Sequence, residues 1–169
     1  MQKQEDKFKK MESRLYNYFE NIRAISRLKV EILELEELYK KYENDLKNNN
    51  FDFEISLGSP AFEERVQTSC SLESVVEKQM LSKVDILLKE QRLIRKKQFK
   101  KNIKISELER NNINLRVAIS MLEREEKKLI YFKYNKKFSI RAISDQLNCS
   151  VGTAHKLRKL VIDKLVKLA

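Results

Sequence analysis

Apolar residues recur along most of this chain at alternating steps of three and four. The first run is Phe8, Met11, Leu15, Tyr18, Ile22 and Ile25; after one irregular step of three it resumes as Leu28, Ile32, Leu35, Tyr39, Tyr42 and Leu46. Such spacing keeps returning to one face of an α-helix and predicts a single long amphipathic helix over 1–50. No Gly or Pro interrupts the run, and Asn48-Asn49-Asn50 closes it. Sustained three–four spacing is the coiled-coil pattern, which the missed four-step overwinds locally. Tyr16, Phe19, Val30, Leu33 and Leu38 widen the stripe beyond a strict seam. A helix of this length cannot bury that stripe alone, so packing against a partner, in the same chain or another, is its expected role.

A second run begins near Leu72 and predicts another long helix over 72–119. Its seam reads Met80, Val84, Leu87, Gln91, Ile94, Gln98, Lys101, Ile105, Leu108, Asn112, Leu115, Ile119 and Leu122. The seam is apolar at its ends and polar in the middle, where Asn112 is the kind of residue that fixes register or oligomeric state. Around that middle lie Arg92, Arg95, Lys96, Lys97, Lys100, Lys101 and Lys104, either a solvated face or a segment that tracks phosphates. Between the runs, 51–71 holds Gly58, Pro60 and several Ser and Thr, and reads as a linker. Phe51, Phe53, Ile55 and Leu57 alternate with polar residues, but no second strand candidate exists for them to pair with. The two seams predict a coiled hairpin with antiparallel helices; parallel pairing between two chains competes.

The C-terminal stretch has a different rhythm. Ser139 is positioned to cap a short helix in which Ile140, Ile143 and Leu147 share a face. Asn148 tolerates the left-handed conformation that ends a helix, and Cys149 is small enough to plug the turn. Ser150 then caps a second helix with an apolar stripe of Ala154, Leu157, Val161 and Leu165. Ser144 and Ala154 are small, as a close helix crossing requires. The opposite face of the second helix carries Gly152, Thr153, His155, Lys156 and Lys159. An apolar inner face and a short, basic, hydrogen-bonding outer face suit a helix that enters the major groove of DNA; the plain competitor is a helical hairpin whose polar face is merely solvated. Upstream, Leu129, Ile130, Phe132 and Tyr134 predict a third amphipathic helix from Leu122, with Ser120 and Glu123 as a capping-box pair at its start.

Composition sharpens this picture. Two Gly, one Pro, 36% charged and 8% aromatic residues in 169 favour long helices over a sheet core. The formal net charge of +11 points to a polyanionic partner. The surplus is local: residues 92–122 hold nine basic residues against two acidic, and 123–169 twelve against five. The positive charge therefore coincides with the candidate DNA-reading motif. Cys70 and Cys149 fit no metal-binding or disulfide pattern, and no membrane-length apolar run or signal peptide is present, so a cytoplasmic protein without a membrane partner is expected. His155 has no nucleophile or acid arranged around it and there is no Gly-rich phosphate loop. Neither enzymatic activity nor a cofactor or metal is expected.

Residues 122–165, with Glu123-Arg124-Glu125, Leu129-Ile130 and Tyr134 followed by the motif beginning at Ser139, resemble the fourth region of bacterial sigma factors. That module reads the upstream promoter element, and its recognition helix begins where Ser150 stands here. One departure is that the family usually has Arg near Thr153, and this chain has none. The order of coiled-coil half, polar linker and sigma-like module is similar to phage late-gene activators of the RinA type and to ArpU-like regulators. The resemblance implies a phage or prophage activator of late, packaging or lysis genes, with RNA polymerase as a further partner. The expected fold class is all-α: long N-terminal coiled-coil-like helices followed by a small three-helix helix-turn-helix module over 120–169. The candidate DNA-binding residues are Ser150, Gly152, Thr153, His155, Lys156, Lys159, Arg141, Lys136 and Lys137, and the expected partner is double-stranded DNA, with a homodimer through the coiled coil as a second possibility. The competing function is a coiled-coil adaptor that binds sigma or RNA polymerase, or a phage packaging component, without its own DNA site.

Overall fold

The structure is a computed structural model that describes residues 2–48 and 75–168. The linker expected at 51–71, its possible strand and Cys70 lie outside the described residues. Every element found is helical: α1 (Gln2–Asn48), α2 (Val75–Ser120), α3 (Arg124–Ile130) running into a π-helical turn (Tyr131–Asn135), α4 (Ile140–Gln146) and α5 (Val151–Leu168). This is the all-α class the hydrophobic spacing predicts. The third amphipathic helix is split, however: α3 stops at Ile130 and the wider turn carries Phe132 and Tyr134.

The described chain divides into two compact units, one of residues 1–30 with 102–169 and one of residues 31–101. In the smaller unit α1 and α2 run antiparallel, with Tyr39 under the guanidinium of Arg95 at 3.9 Å and Glu36 accepting from Gln98 Nε2 at 2.9 Å. Glu31 pairs with Lys101. The polar middle of the second seam is thus met by acids and an aromatic ring of α1. Two members of the basic segment, Arg95 and Lys101, are held in these pairs.

In the larger unit the first half of α1 lies along the end of α2, with Asn21 Nδ2 donating to Asn112 Oδ1 at 3.0 Å. Asn112, read from the sequence as a residue that fixes register or oligomeric state, is thus paired within the chain. The core here joins Met11, Leu15 and Phe19 of α1 with Leu115, Ala118 and Leu122, and with Leu129, Ile130, Tyr134, Ile143, Val161, Ile162 and Leu165 of the short helices. The three short helices therefore do not close a core within 120–169. With few large side chains among them, they complete it with the first half of α1 and the end of α2.

Every second-seam position from Met80 to Leu122 is buried or half-buried, and among the described side chains of α2 Ala118 alone joins them. The α1 seam is covered except at Ile22. Val30, Leu33 and Leu38, read as widening the α1 stripe, stand exposed.

The capping reading at the start of α3 is corrected by one turn. α2 continues through Ser120, whose hydroxyl donates to the Val117 carbonyl at 2.7 Å inside that helix. The cap position belongs to Glu123, whose N–H donates to the Glu126 carboxylate at 3.0 Å. A Glu three residues after the cap satisfies the same orphan donor that the S-x-x-E reading assigned to Glu123.

Candidate nucleic-acid interface

The helix-turn-helix geometry follows from local chemistry. Ser139 has extended backbone angles, and its hydroxyl accepts from the Ala142 N–H at 3.2 Å, which starts α4. Asn148 takes the left-handed conformation, φ 51°, and ends the helix. Cys149 N–H then donates back to the Ser144 carbonyl at 3.0 Å, and its side chain is half-buried in the turn. Ser150 accepts from the Thr153 N–H at 3.1 Å and starts α5. Ser144 and Ala154 are both buried, so α4 and α5 cross with little between them.

α5 sorts its charges by face. Its core side carries Ala154, Val161, Ile162 and Leu165, all fully buried. Two of its cations are tied to acids from other elements. Arg158 pairs with Glu12 of α1 and stacks against the Phe8 ring at 5.5 Å; Lys164 pairs with Glu126 of α3. Glu12 also accepts from the Tyr134 hydroxyl at 2.6 Å. Burial, with the Glu12 carboxylate beside it, pushes the Tyr134 phenol far above its ordinary range, so this hydroxyl stays a donor at any working pH. Burial tends to raise the Glu126 carboxyl, but the Lys164 ammonium and the Glu123 N–H outweigh it and hold the group below its usual value.

The outer side is different. Gly152, Thr153, His155, Lys156 and Lys159 are all exposed, as are Ser150 and, on α4, Arg141. Among the described residues, Arg141, Lys156 and Lys159 have no carboxylate within ion-pair distance. Gly152 needs no glycine for the fold: its φ is negative, and a Cβ there would meet only Ser150 Oγ at 3.8 Å. A missing side chain that packing does not demand leaves the first turn of α5 open to close approach from outside.

Three features qualify the sequence reading. Lys137 sits in the left-handed region, φ 58°, and its ammonium reaches Glu20 at 3.4 Å. Lys136 lies over the Tyr131 ring at 5.9 Å. His155 and Lys159 border a groove of about 650 Å³ that they share with Glu5, Glu12 and Asp163, so acids from α1 flank one edge of the outer face. Gly152, Thr153 and Lys156 do not border that groove.

Sequence reasoning missed Glu12, Arg158, Glu126 and Lys164, the pairs that orient α5. Only Glu126 left a trace, its position three residues after Glu123. Glu12 and Arg158 are 146 positions apart, and no local pattern links them. Among the described residues no group of three or more His, Cys, Asp or Glu could hold a metal ion, and no helix is long and apolar enough to cross a membrane. Comparison with known families, curated proteins and solved structures returns no match of any of the three kinds.

Proposed function

We propose that this protein is a sequence-specific DNA-binding transcriptional regulator that places α5 in the major groove of promoter DNA. The observation that carries the reading is the division of charge on α5. Its inward cations are each matched by a carboxylate, while Lys156 and Lys159 are left unmatched beside Gly152, Thr153 and His155. Unmatched cations on a rigid helix cost the fold nothing and attract phosphates; the short polar side chains next to them can reach base edges. The resemblance to sigma region four supports promoter DNA as the target and RNA polymerase as a second partner, and the wider resemblance to RinA-type and ArpU-like activators supports a phage or prophage setting.

The test is paired substitution of exposed residues. His155→Ala and Lys156→Ala should each weaken specific binding by ~1–3 kcal/mol in gel shifts, with helicity by circular dichroism unchanged. Unchanged affinity in both variants contradicts the proposal.

A further inference from the structure

Within the smaller unit α2 carries a strongly basic outer side. Between Glu90 and Glu107 the sequence has no Asp or Glu. Toward α1, Arg95 and Lys101 are paired with Glu36 and Glu31. Away from α1, Lys89, Arg92, Lys96, Lys97 and Lys100 are all exposed. Among the described residues, none of these five has a carboxylate within ion-pair distance. Like charges four apart destabilise a helix, and Arg92 with Lys96, and Lys96 with Lys100, stand at that spacing. The fold leaves this repulsion unrelieved; a polyanion from outside relieves it.

The layout of the face narrows which polyanion. At about 100° per residue, Lys89, Lys96 and Lys100 fall on one line along the outer side, with Leu93 between the first two. Arg92 and Phe99 lie together on one flank of that line, two turns apart. The Phe99 ring is 66% exposed, the most of any large apolar side chain among the described residues, and it has no part in the covered seam. A duplex accounts for the cations alone, because its phosphates face outward while its bases are stacked out of reach of a ring. A lipid surface takes apolar side chains deepest and keeps the cations around them; here the cations hold the centre and the ring the flank. A single strand fits both features. Its phosphates follow the line of lysines, and its unpaired bases turn to the flank, where guanidinium and aromatic planes are the groups on which bases stack.

We propose that this face of α2 binds single-stranded nucleic acid, with Lys89, Lys96, Lys97 and Lys100 on phosphates and with Arg92 and Phe99 stacked on bases. Contacts of these two kinds ignore base identity and depend steeply on salt. Lys89 to Lys100 spans roughly 16 Å of helix, room for a few nucleotides, so binding is weak at physiological salt. The surface is separate from α5 and does not rest on the duplex-reading proposal.

The experiment follows the fluorescence anisotropy of a labelled oligothymidylate, which forms no structure of its own, on titration with the full chain at low salt. The same oligomer annealed to oligodeoxyadenylate is the duplex control, and circular dichroism verifies equal helicity of all variants. Phe99→Ala should weaken single-strand binding about tenfold and leave duplex binding unchanged. Phe99→Trp should keep the wild-type affinity. The double variant K96Q/K100Q should flatten the single-strand salt dependence by about 0.7 per lost contact. Oligothymidylate that fails to bind the wild type overturns the proposal and leaves the face to a partner of another class. Single-strand affinity indifferent to Phe99→Ala, an equal loss on the duplex, or a Trp variant no better than the Ala variant overturns it too, because the ring then touches no unpaired base. Gel shifts of His155→Ala and Lys156→Ala address α5 separately, so the two proposals fail independently.

Discussion

Removing Glu12 should loosen α5 although the residue lies 146 positions away from its partner. The Glu12 carboxylate accepts from the Tyr134 hydroxyl at 2.6 Å and from Arg158 Nε at 3.1 Å. Glu12→Ala leaves a guanidinium and a buried phenol without their acceptor. Stripping one partner from a fully buried pair costs about 3–5 kcal/mol. Here the Arg158 and Glu12 side chains keep 23% and 19% of their exposure, so water recovers part of the loss and about 2–3 kcal/mol remains. For a chain of this size that lowers Tm by roughly 5–10 °C in a thermal melt followed by circular dichroism. Adding Arg158→Leu should return part of the loss, because the stranded charge is gone. A Glu12→Ala melt within about 2 °C of wild type would refute the argument that this network anchors α5.

Three further outcomes follow from the same structure. Gly152→Ala should keep or raise thermal stability, by up to about 0.5–1 kcal/mol, yet lower DNA affinity in gel shifts; unaltered affinity would mean that nothing approaches the first turn of α5. A fragment of residues 120–169 loses Met11, Leu15, Phe19 and Leu115 from its core, at about 1.5–3 kcal/mol each, which rivals the whole stability of a small domain; it should show no cooperative melt, and a sharp transition would contradict the shared core. Replacing Lys96, Lys97 and Lys100 by Gln, and sparing Lys101 because it pairs with Glu31, should flatten the plot of log affinity against log salt by about 0.9 per lost phosphate contact; an unchanged slope makes that face simply solvated.

The long helices were legible because their burial is written in periodicity. The second seam, including its polar members Gln98, Lys101 and Asn112, coincides with the covered positions of α2 almost residue for residue. The helix-turn-helix was legible for a different reason: Ser139, Asn148 and Ser150 act on their own neighbours, and local chemistry leaves local signatures. What connects distant segments was not. Met11, Leu15 and Phe19 looked like a coiled-coil stripe awaiting any partner, and nothing in their spacing said that they would enclose Tyr134 and Ile162. Val30, Leu33 and Leu38 extended the apparent stripe, but a helix shows only one face to one neighbour, and theirs is turned outward. Lys137 was grouped with the DNA contacts on charge alone, and its ion pair with Glu20 depends on a turn that charge does not reveal.

The central claim is that α5 reads a particular DNA sequence, and selection from a pool of random duplexes by the purified full chain tests it most directly. Repeated rounds should converge on one short motif, and binding to that motif should fall by ~1–3 kcal/mol in Lys156→Ala or His155→Ala with the fold intact. A pool that stays random after repeated selection, or a motif bound equally well by both variants, would contradict it.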